Sequence, residues 1–363
     1  MGMTKVGPRA GRRVVAGAAL LALSAAACGG HSTTVAGAGA SSQEIAMQAW
    51  LAGLYDLRPD ILASYDPAGS GAGREMFVTG AVDFAGSDAH LDGEEIEQAA
   101  ERCGDGEVLE LPLYISPIAI AYHLPGLDVE HLQLQPETIA AMFDGRIERW
   151  DDPEIAATNP GVELPDLPVV PVNRSDDSGT TENFTEYLAA AGGDAWPHEP
   201  SSTWPRGGTH SGQQNVGVVS TMSAAEGTIG YVDASQVTDE LGTVAVGVGD
   251  DFVPFSPEAA AAVVDASPAA EGASDTRLVI ELDRGTDAPG AYPVVLISYT
   301  IACTEYDSAE KAEAVRELLT YIASEDGQER AASPDVAGAA PISPELRARV
   351  MDAVERISGP AAG

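Results

Sequence analysis

Asn173 to Thr181 reads NRSDDSGTT: one guanidinium, two carboxylates, then Ser178, Gly179 and Thr180, a set of residue types suited to capturing an oxyanion. The first N–H groups of a helix lack intrahelical partners, and the macrodipole adds about half a positive charge at that end. A helix starting near Ser178 or Gly179 therefore offers donors to an anion. Gly179 lets the backbone approach closely, Ser178 and Thr180 add hydroxyls, and Arg174 supplies a planar fork that matches a phosphate-like group. Asp176 or Asp177 could hold that fork in place. A capped helix with a surface ion pair would read the same way, so the stretch becomes informative only in company.

Two other stretches repeat its chemistry. VAGAGASS (35–42) ends in Ser41 and Ser42 ahead of an amphipathic segment with Ile45, Met47, Trp50, Leu51 and Leu54, and DPAGSGAGREMF (66–77) sets Ser70 in a glycine loop before another helix. VDFAGSDA (82–89) contributes Asp88, a residue of the wrong sign for an anion site. A carboxylate only accepts, so it matches a ligand that carries a P–OH and leaves a ligand without one unmatched.

Positioning these groups requires strands that end at helix starts. LELPLYISPIAIAYHL (109–124), LPVVPV (167–172), RLVIEL (277–282) and YPVVLISYTIAC (292–303) are apolar runs of strand length. They alternate with helical periods such as Phe184, Tyr187, Leu188, Ala191 and Val315, Leu318, Leu319, Ile322, which predicts an α/β fold with mostly parallel sheets. The helix after NRSDDSGTT should stop at Gly192 and Gly193. SPEAAAAVVDASPAAEGAS (256–274) reads as a short helix running into a surface loop.

The chain has 363 residues, with 56 acidic against 19 basic and a formal net charge of −37. Such a chain has no basic stripe to meet a phosphate backbone, which excludes nucleic acid as a partner, and the acidity reads as a solvated surface. Arg9, Arg12 and Arg13 precede VVAGAALLALSAAA, which ends at Cys28. This is a secretion signal over residues 1–27, too short for a comfortable membrane span. The small residues before Cys28 resemble a bacterial lipoprotein cleavage box, with Ala25 where that box usually has Leu; otherwise Cys28 is incidental to an ordinary signal. A flexible Gly/Ser/Thr tether, residues 28–34 with a lipidated Cys28, would follow. In an exported chain Cys103 and Cys303 form either one bridge or two separate buried thiols.

Taken in order, GAGAS, GSGAG, VDFAGSDA, TIAAMFDGRIERWDDPEIAATNPG (138–161), NRSDDSGTTENFTEYL, GTIGYVDAS and APISPELRARVMDAV cover nearly the whole exported chain. The chain so read resembles the phosphate-binding proteins of bacterial high-affinity phosphate ABC transporters. The resemblance implies an α/β, two-lobed periplasmic binding protein-like fold (type II), with two domains, a ligand cleft and two crossing hinge strands. Domain 1 would comprise 35–115 and 298–363, and domain 2 residues 116–297, with the crossings near PLYISPIAIAY and YPVVLISY. Motif by motif, phosphate contacts fall on Ser41, the backbone of Ser42, Ser70, Asp88, Arg174, Ser178, Gly179 and Thr180, with Asp176 orienting the arginine. Cys103 and Cys303 both fall in domain 1, where a bridge would stitch its two segments.

The sequence departs from the family pattern at three positions. Ser42 replaces Phe, Gly71 a second serine, and Asp177 a small residue. The resemblance further implies inorganic phosphate as ligand, no cofactor, no metal and no enzymatic activity. It implies a monomer that meets ABC permease subunits and touches the outer face of the bacterial cell membrane only through its lipid anchor. A phosphate sensor or adhesin of the same fold is an alternative. A phosphate-ester hydrolase is a weaker one, because no histidine has the spacing of a base or metal cluster and no GxSxG occurs. His90 reads as a rim residue. The glycosylation patterns at Asn173 and Asn183 are discounted in a bacterial-type export context.

Overall fold

The computed structural model describes residues 1–3 and 32–360, so residues 4–27 of the expected secretion signal, and Cys28, lie outside the described residues. Strand β1 (Thr33–Gly39) leads through Ser41 and Ser42 into α1 (Glu44–Leu57), and β2 (Ile61–Asp66) leads through a glycine loop into α2 (Ser70–Val78). Strand β3 (Phe84–Ser87) passes Asp88 to reach α3 (Gly93–Cys103). The long β4 (Val108–His123) is followed by β5 (Leu132–Leu134), α4 (Pro136–Asp144) and α5 (Pro153–Thr158). Strand β6 (Val170–Arg174) delivers Arg174 to the loop before α6 (Gly179–Ala191), and β7 (His210–Gly212) leads to α7 (Gln214–Ser223). Then come β8 (Thr228–Asp233), β9 (Gly242–Val248), β10 (Asp251–Pro254), α8 (Pro257–Ala266), β11 (Val295–Cys303), α9 (Ala309–Ala323), α10 (Glu325–Ala332) and α11 (Pro344–Val354).

The main strand order is β2-β1-β3-β11-β4-β8-β6-β7. β1 runs parallel to β2 and β3, and β6 runs parallel to β7 and β8. β11 is antiparallel to both β3 and β4, and β4 is antiparallel to β8. The sheet is thus mixed and not mostly parallel as the alternation of elements suggested. The two long strands return against their neighbours, while β1, β2, β3, β6 and β7 each lead to a helix start. β4 belongs to both strand groups: residues up to Pro117 pair with β11, and residues from Ile118 onward pair with β8. Pro117 cannot donate to a ladder, and it sits where pairing changes partner. Every residue of β4 from Val108 to Tyr122 is buried, which explains an apolar run broken only by Glu110 and Ser116.

RLVIEL is not a ladder strand. It makes isolated bridges, Glu110 to Arg277 and Ala269 to Ile280, and otherwise covers the core with Leu278 and Val279. At the other end, Thr33 and Thr34 already belong to β1, so that strand begins within the segment read as tether. The small residues there serve packing. Gly39 has φ 142, and a Cβ on it would lie 1.9 Å from the Gly86 carbonyl oxygen.

The WDDP block is architectural. Trp150 is buried and donates its indole N–H to the Gly227 carbonyl at 2.9 Å, Asp152 caps α5, and Asn159 accepts the Gln133 N–H at 2.9 Å. Cys103 and Cys303 form a disulfide with Cα atoms 5.3 Å apart, joining the end of α3 to the end of β11 across 200 residues. Among the described residues no helix is long and apolar enough to cross a membrane.

Candidate functional site: an anion cradle of helix starts

The ends of β1, β2, β3 and β6 bring their loops together, as expected where ligands gather beyond the carboxyl ends of strands. Asp88 lies at the centre and is 3% exposed. Its Oδ1 accepts the Ser42 hydroxyl at 2.6 Å, and its Oδ2 accepts the Thr180 hydroxyl at 3.0 Å. Its N–H donates to Ser70 Oγ at 3.2 Å. Burial pushes the Asp88 carboxyl above the usual range, opposed by those hydroxyl donors and by the Arg174 charge.

Arg174, 2% exposed, donates from Nε to Asp176 Oδ1 at 2.9 Å and from Nη2 to Asp176 Oδ2, while Nη1 faces Thr180 Oγ1 at 3.5 Å. One edge of the guanidinium is therefore clamped and the remaining nitrogen turns toward the cradle. The Arg174 N–H donates to the Tyr231 hydroxyl at 3.2 Å, which also bonds the Thr181 hydroxyl at 2.7 Å. Gly179 is demanded by proximity. A Cβ there would lie 2.7 Å from Asp88 Cβ and 2.8 Å from Ser70 Oγ, so the α6 start abuts the opposing loops directly.

All eight residues expected to touch the anion, Ser41, Ser42, Ser70, Asp88, Arg174, Ser178, Gly179 and Thr180, fall in this buried cluster. Asp176, and not Asp177, clamps the arginine. Ser178 Oγ accepts the Thr181 N–H at 3.2 Å and so caps α6. The Ser42 hydroxyl reaches Asp88, which gives that departure a side-chain role. Asp177 points to the rim, accepting from Ser202 Oγ at 3.0 Å and lying 4.0 Å from Arg74 Nη2. A Cβ at Gly71 would lie 2.3 Å from Asp177 Oδ1. The two departures are therefore matched, since a serine at 71 and this placement of Asp177 exclude each other.

Sequence reasoning missed the start of α7. Gln214 donates its N–H to Asp176 Oδ1 at 3.0 Å, and Asn215 donates from Nδ2 to Ser41 Oγ at 3.1 Å. The only signal was a small-residue run, HSGQQN, whose helix lacks a clear apolar stripe.

A second hollow of about 800 Å³ opens beside the cradle, lined by Asp88, His90, Glu182, Glu186, Asp283 and Arg284 among others. Arg284 is engaged with Glu186 at 2.8 Å and with Asn183 Oδ1, and donates to the Val295 carbonyl at 2.9 Å. Burial, with Glu186 nearby, raises the Glu182 carboxyl to about 7. His90, read as a rim residue of the anion site, lines this neighbouring hollow and places Nδ1 3.1 Å from the Leu91 carbonyl. Among the described residues no group of three or more His, Cys, Asp or Glu could hold a metal ion.

Strand ends feeding helix starts around a buried anion cradle define a solute-binding protein, and the family model described as "PBP superfamily domain" matches residues 24–326. The phosphate-binding protein PstS2 of Mycobacterium bovis is 32% identical over 336 residues, covering 91% of this chain and 89% of that protein. Phosphate-binding protein PstS 3 of Mycobacterium leprae is 33% identical over 295 residues, covering 80% of this chain and 79% of its own length. The chain belongs to this PstS family of phosphate-binding proteins. A high affinity periplasmic phosphate-binding protein (PfluDING) solved with phosphate shares the fold at a TM-score of 0.73, with 21% identity over 88% of this chain and 93% of its own.

Proposed function

We propose that this chain captures inorganic phosphate in the cradle and delivers it to the permease of an ABC transporter. The observation that carries the reading is the pairing of Arg174, clamped by Asp176 with Nη1 facing inward, with Asp88, a buried acceptor, inside a ring of helix starts. Phosphate near neutral pH brings both oxygens for the donors and at least one P–OH for Asp88. Residues 35–115 with 298–363 form one lobe and 116–297 the other, and β4 and β11 act as the crossing strands about which the lobes close. Cys28 carries the lipid anchor on the outer face of the bacterial membrane, and the protein works as a monomer without a cofactor. The high surface acidity does not oppose capture, because charges beyond about 8–10 Å are screened by salt whereas the buried donors are not.

A hydrolytic role finds no support in this chemistry. Ser178 Oγ is engaged in capping α6, and His90, two residues beyond Asp88, lines the neighbouring hollow. Calorimetry of the exported chain against phosphate, sulfate and a chromogenic phosphate ester tests the reading. Stoichiometric phosphate binding, no sulfate binding and an intact ester are expected. Ester turnover, or no heat with phosphate, would overturn it.

A further inference from the structure

Ser41 has a single hydroxyl proton, and its direction depends on what occupies the oxygen. Two donors from the start of α7 converge on that oxygen: Asn215 Nδ2 at 3.1 Å and the Asn215 N–H at 3.4 Å. With its lone pairs met from that side, the Ser41 proton is left free to turn toward the cradle. Asn215 is fully buried, and its amide has one orientation that satisfies both ends. Its Oδ1 accepts the Asp233 N–H at 3.0 Å, which leaves Nδ2 as the end facing Ser41. The adjacent Gln214 holds a left-handed backbone, φ 60, and its N–H meets the carboxylate that clamps Arg174. The first two residues of α7 therefore grip Ser41, which follows β1, and Asp176, which follows β6.

We propose that Asn215 is a positioning residue for the anion. By donating to Ser41 it aims the Ser41 hydroxyl proton at bound phosphate, and it links that bond to closure because the two residues come from opposite strand groups, 174 residues apart. The inference rests on the phosphate reading above. It deepens that reading by assigning a role to a residue that does not itself contact the ligand.

The test is a double-mutant cycle read by phosphate calorimetry, with thermal unfolding of each ligand-free variant as a control. Asn215→Ala should weaken phosphate binding roughly 3- to 30-fold, the worth of one misaligned hydrogen bond. In a Ser41→Ala background the same change should cost less than about twofold, because Asn215 acts through Ser41. Asn215→Asp keeps the acceptor for the Asp233 N–H but replaces the donor by an acceptor. Ser41 would then donate to it and turn from the anion, so the loss should exceed that of Asn215→Ala by about tenfold or more. The Asp variant, combined with Ser41→Ala, also serves as the cycle if the Ala variant fails to fold. Additive effects, or an Asp variant that binds as well as the Ala variant, would overturn the inference while wild-type binding leaves the phosphate reading standing. Wild-type protein that ignores phosphate would sink both.

Discussion

The opening turns of α6 face two sites of different character. On one side Gly179 and Thr180 close the cradle, and on the other Glu182, Asn183 and Glu186 line the cavity of about 800 Å³ with Arg284. Both sides share one helix terminus and its partial positive charge. Each also contains one buried arginine beside carboxylates. In the cradle Asp176 takes one edge of Arg174 and leaves Nη1 facing inward, while Asp88 is met by two hydroxyls. In the cavity Arg284 is spent on Glu186, Asn183 and a carbonyl, and Glu182 and Glu186 repel one another's charge. The two sites thus differ in their arginine: Nη1 of Arg174 is left facing inward toward Thr180, whereas Arg284 is fully engaged.

The largest expected effect comes from removing the acid that the cradle tolerates. Sites built around a ligand hydroxyl reject analogues lacking it by about 10⁴ to 10⁵. Asp88→Ala should narrow the preference for phosphate over sulfate by about a thousandfold or more, mainly by admitting sulfate. Competition of sulfate against labelled phosphate at fixed ionic strength measures it, and an unchanged ratio would remove Asp88 from the selectivity argument. Lower pH should act in the same direction in wild type, since protonated Asp88 can donate to sulfate.

Arg174→Ala removes the inward-facing Nη1 that separates cradle from cavity. Its loss should cost about 2 to 4 kcal/mol of phosphate binding, roughly 30- to 1,000-fold. The matched change Arg284→Ala lies on the cavity side and should alter affinity far less, with any deficit appearing in thermal stability. Equal losses in the two variants would erase the distinction drawn between the hollows.

Replacing Cys103 and Cys303 together by Ser probes stability without touching either hollow. The expected cost is about 2 to 4 kcal/mol in unfolding free energy. Phosphate affinity under native conditions should stay within about twofold. A large affinity loss would tie the bridge to the geometry of the cradle.

The smallest effect belongs to the cavity acid. The Glu182 carboxyl is held near 7 in the folded chain against 4.5 ordinarily, so the folded state keeps a proton that the unfolded state has released. Its contribution to stability is fully present below about 4.5 and is lost as pH rises through about 7. Glu182→Gln should therefore melt higher than wild type at pH 8, melt alike at pH 4, and bind phosphate within about threefold. A melting difference largest at acid pH would reverse the assignment.

Much of the cradle was legible because its parts are local. A glycine loop, a hydroxyl and an amphipathic run in succession specify a helix start, and α1, α2 and α6 begin where those cues stand. RLVIEL misled because an apolar run reports burial, which a covering segment achieves as well as a strand does. The start of α7 was opaque because Gln213, Gln214 and Asn215 offer no apolar period, and the left-handed Gln214 has no compositional signal.

The sequence by itself determined the inventory: an acidic chain with a secretion-type leader, one arginine beside a hydroxyl-rich helix start, an aspartate in a second loop, and Cys103 and Cys303 as either a bridge or two thiols. Those features depend on neighbours along the chain and on bulk charge, which sequence reports directly. Only the tertiary structure decided that Ser42 and Thr180 share Asp88, that Asp176 rather than Asp177 clamps Arg174, and that Asn215 meets Ser41. The Asp88 and Ser41 contacts join residues 46, 92 and 174 positions apart. The choice of clamp depends on α7, whose Gln214 N–H comes from 38 positions beyond Asp176. Such pairings arise only when the mixed sheet, turning from β11 to β8 along β4, carries strand ends from distant parts of the chain to a common edge.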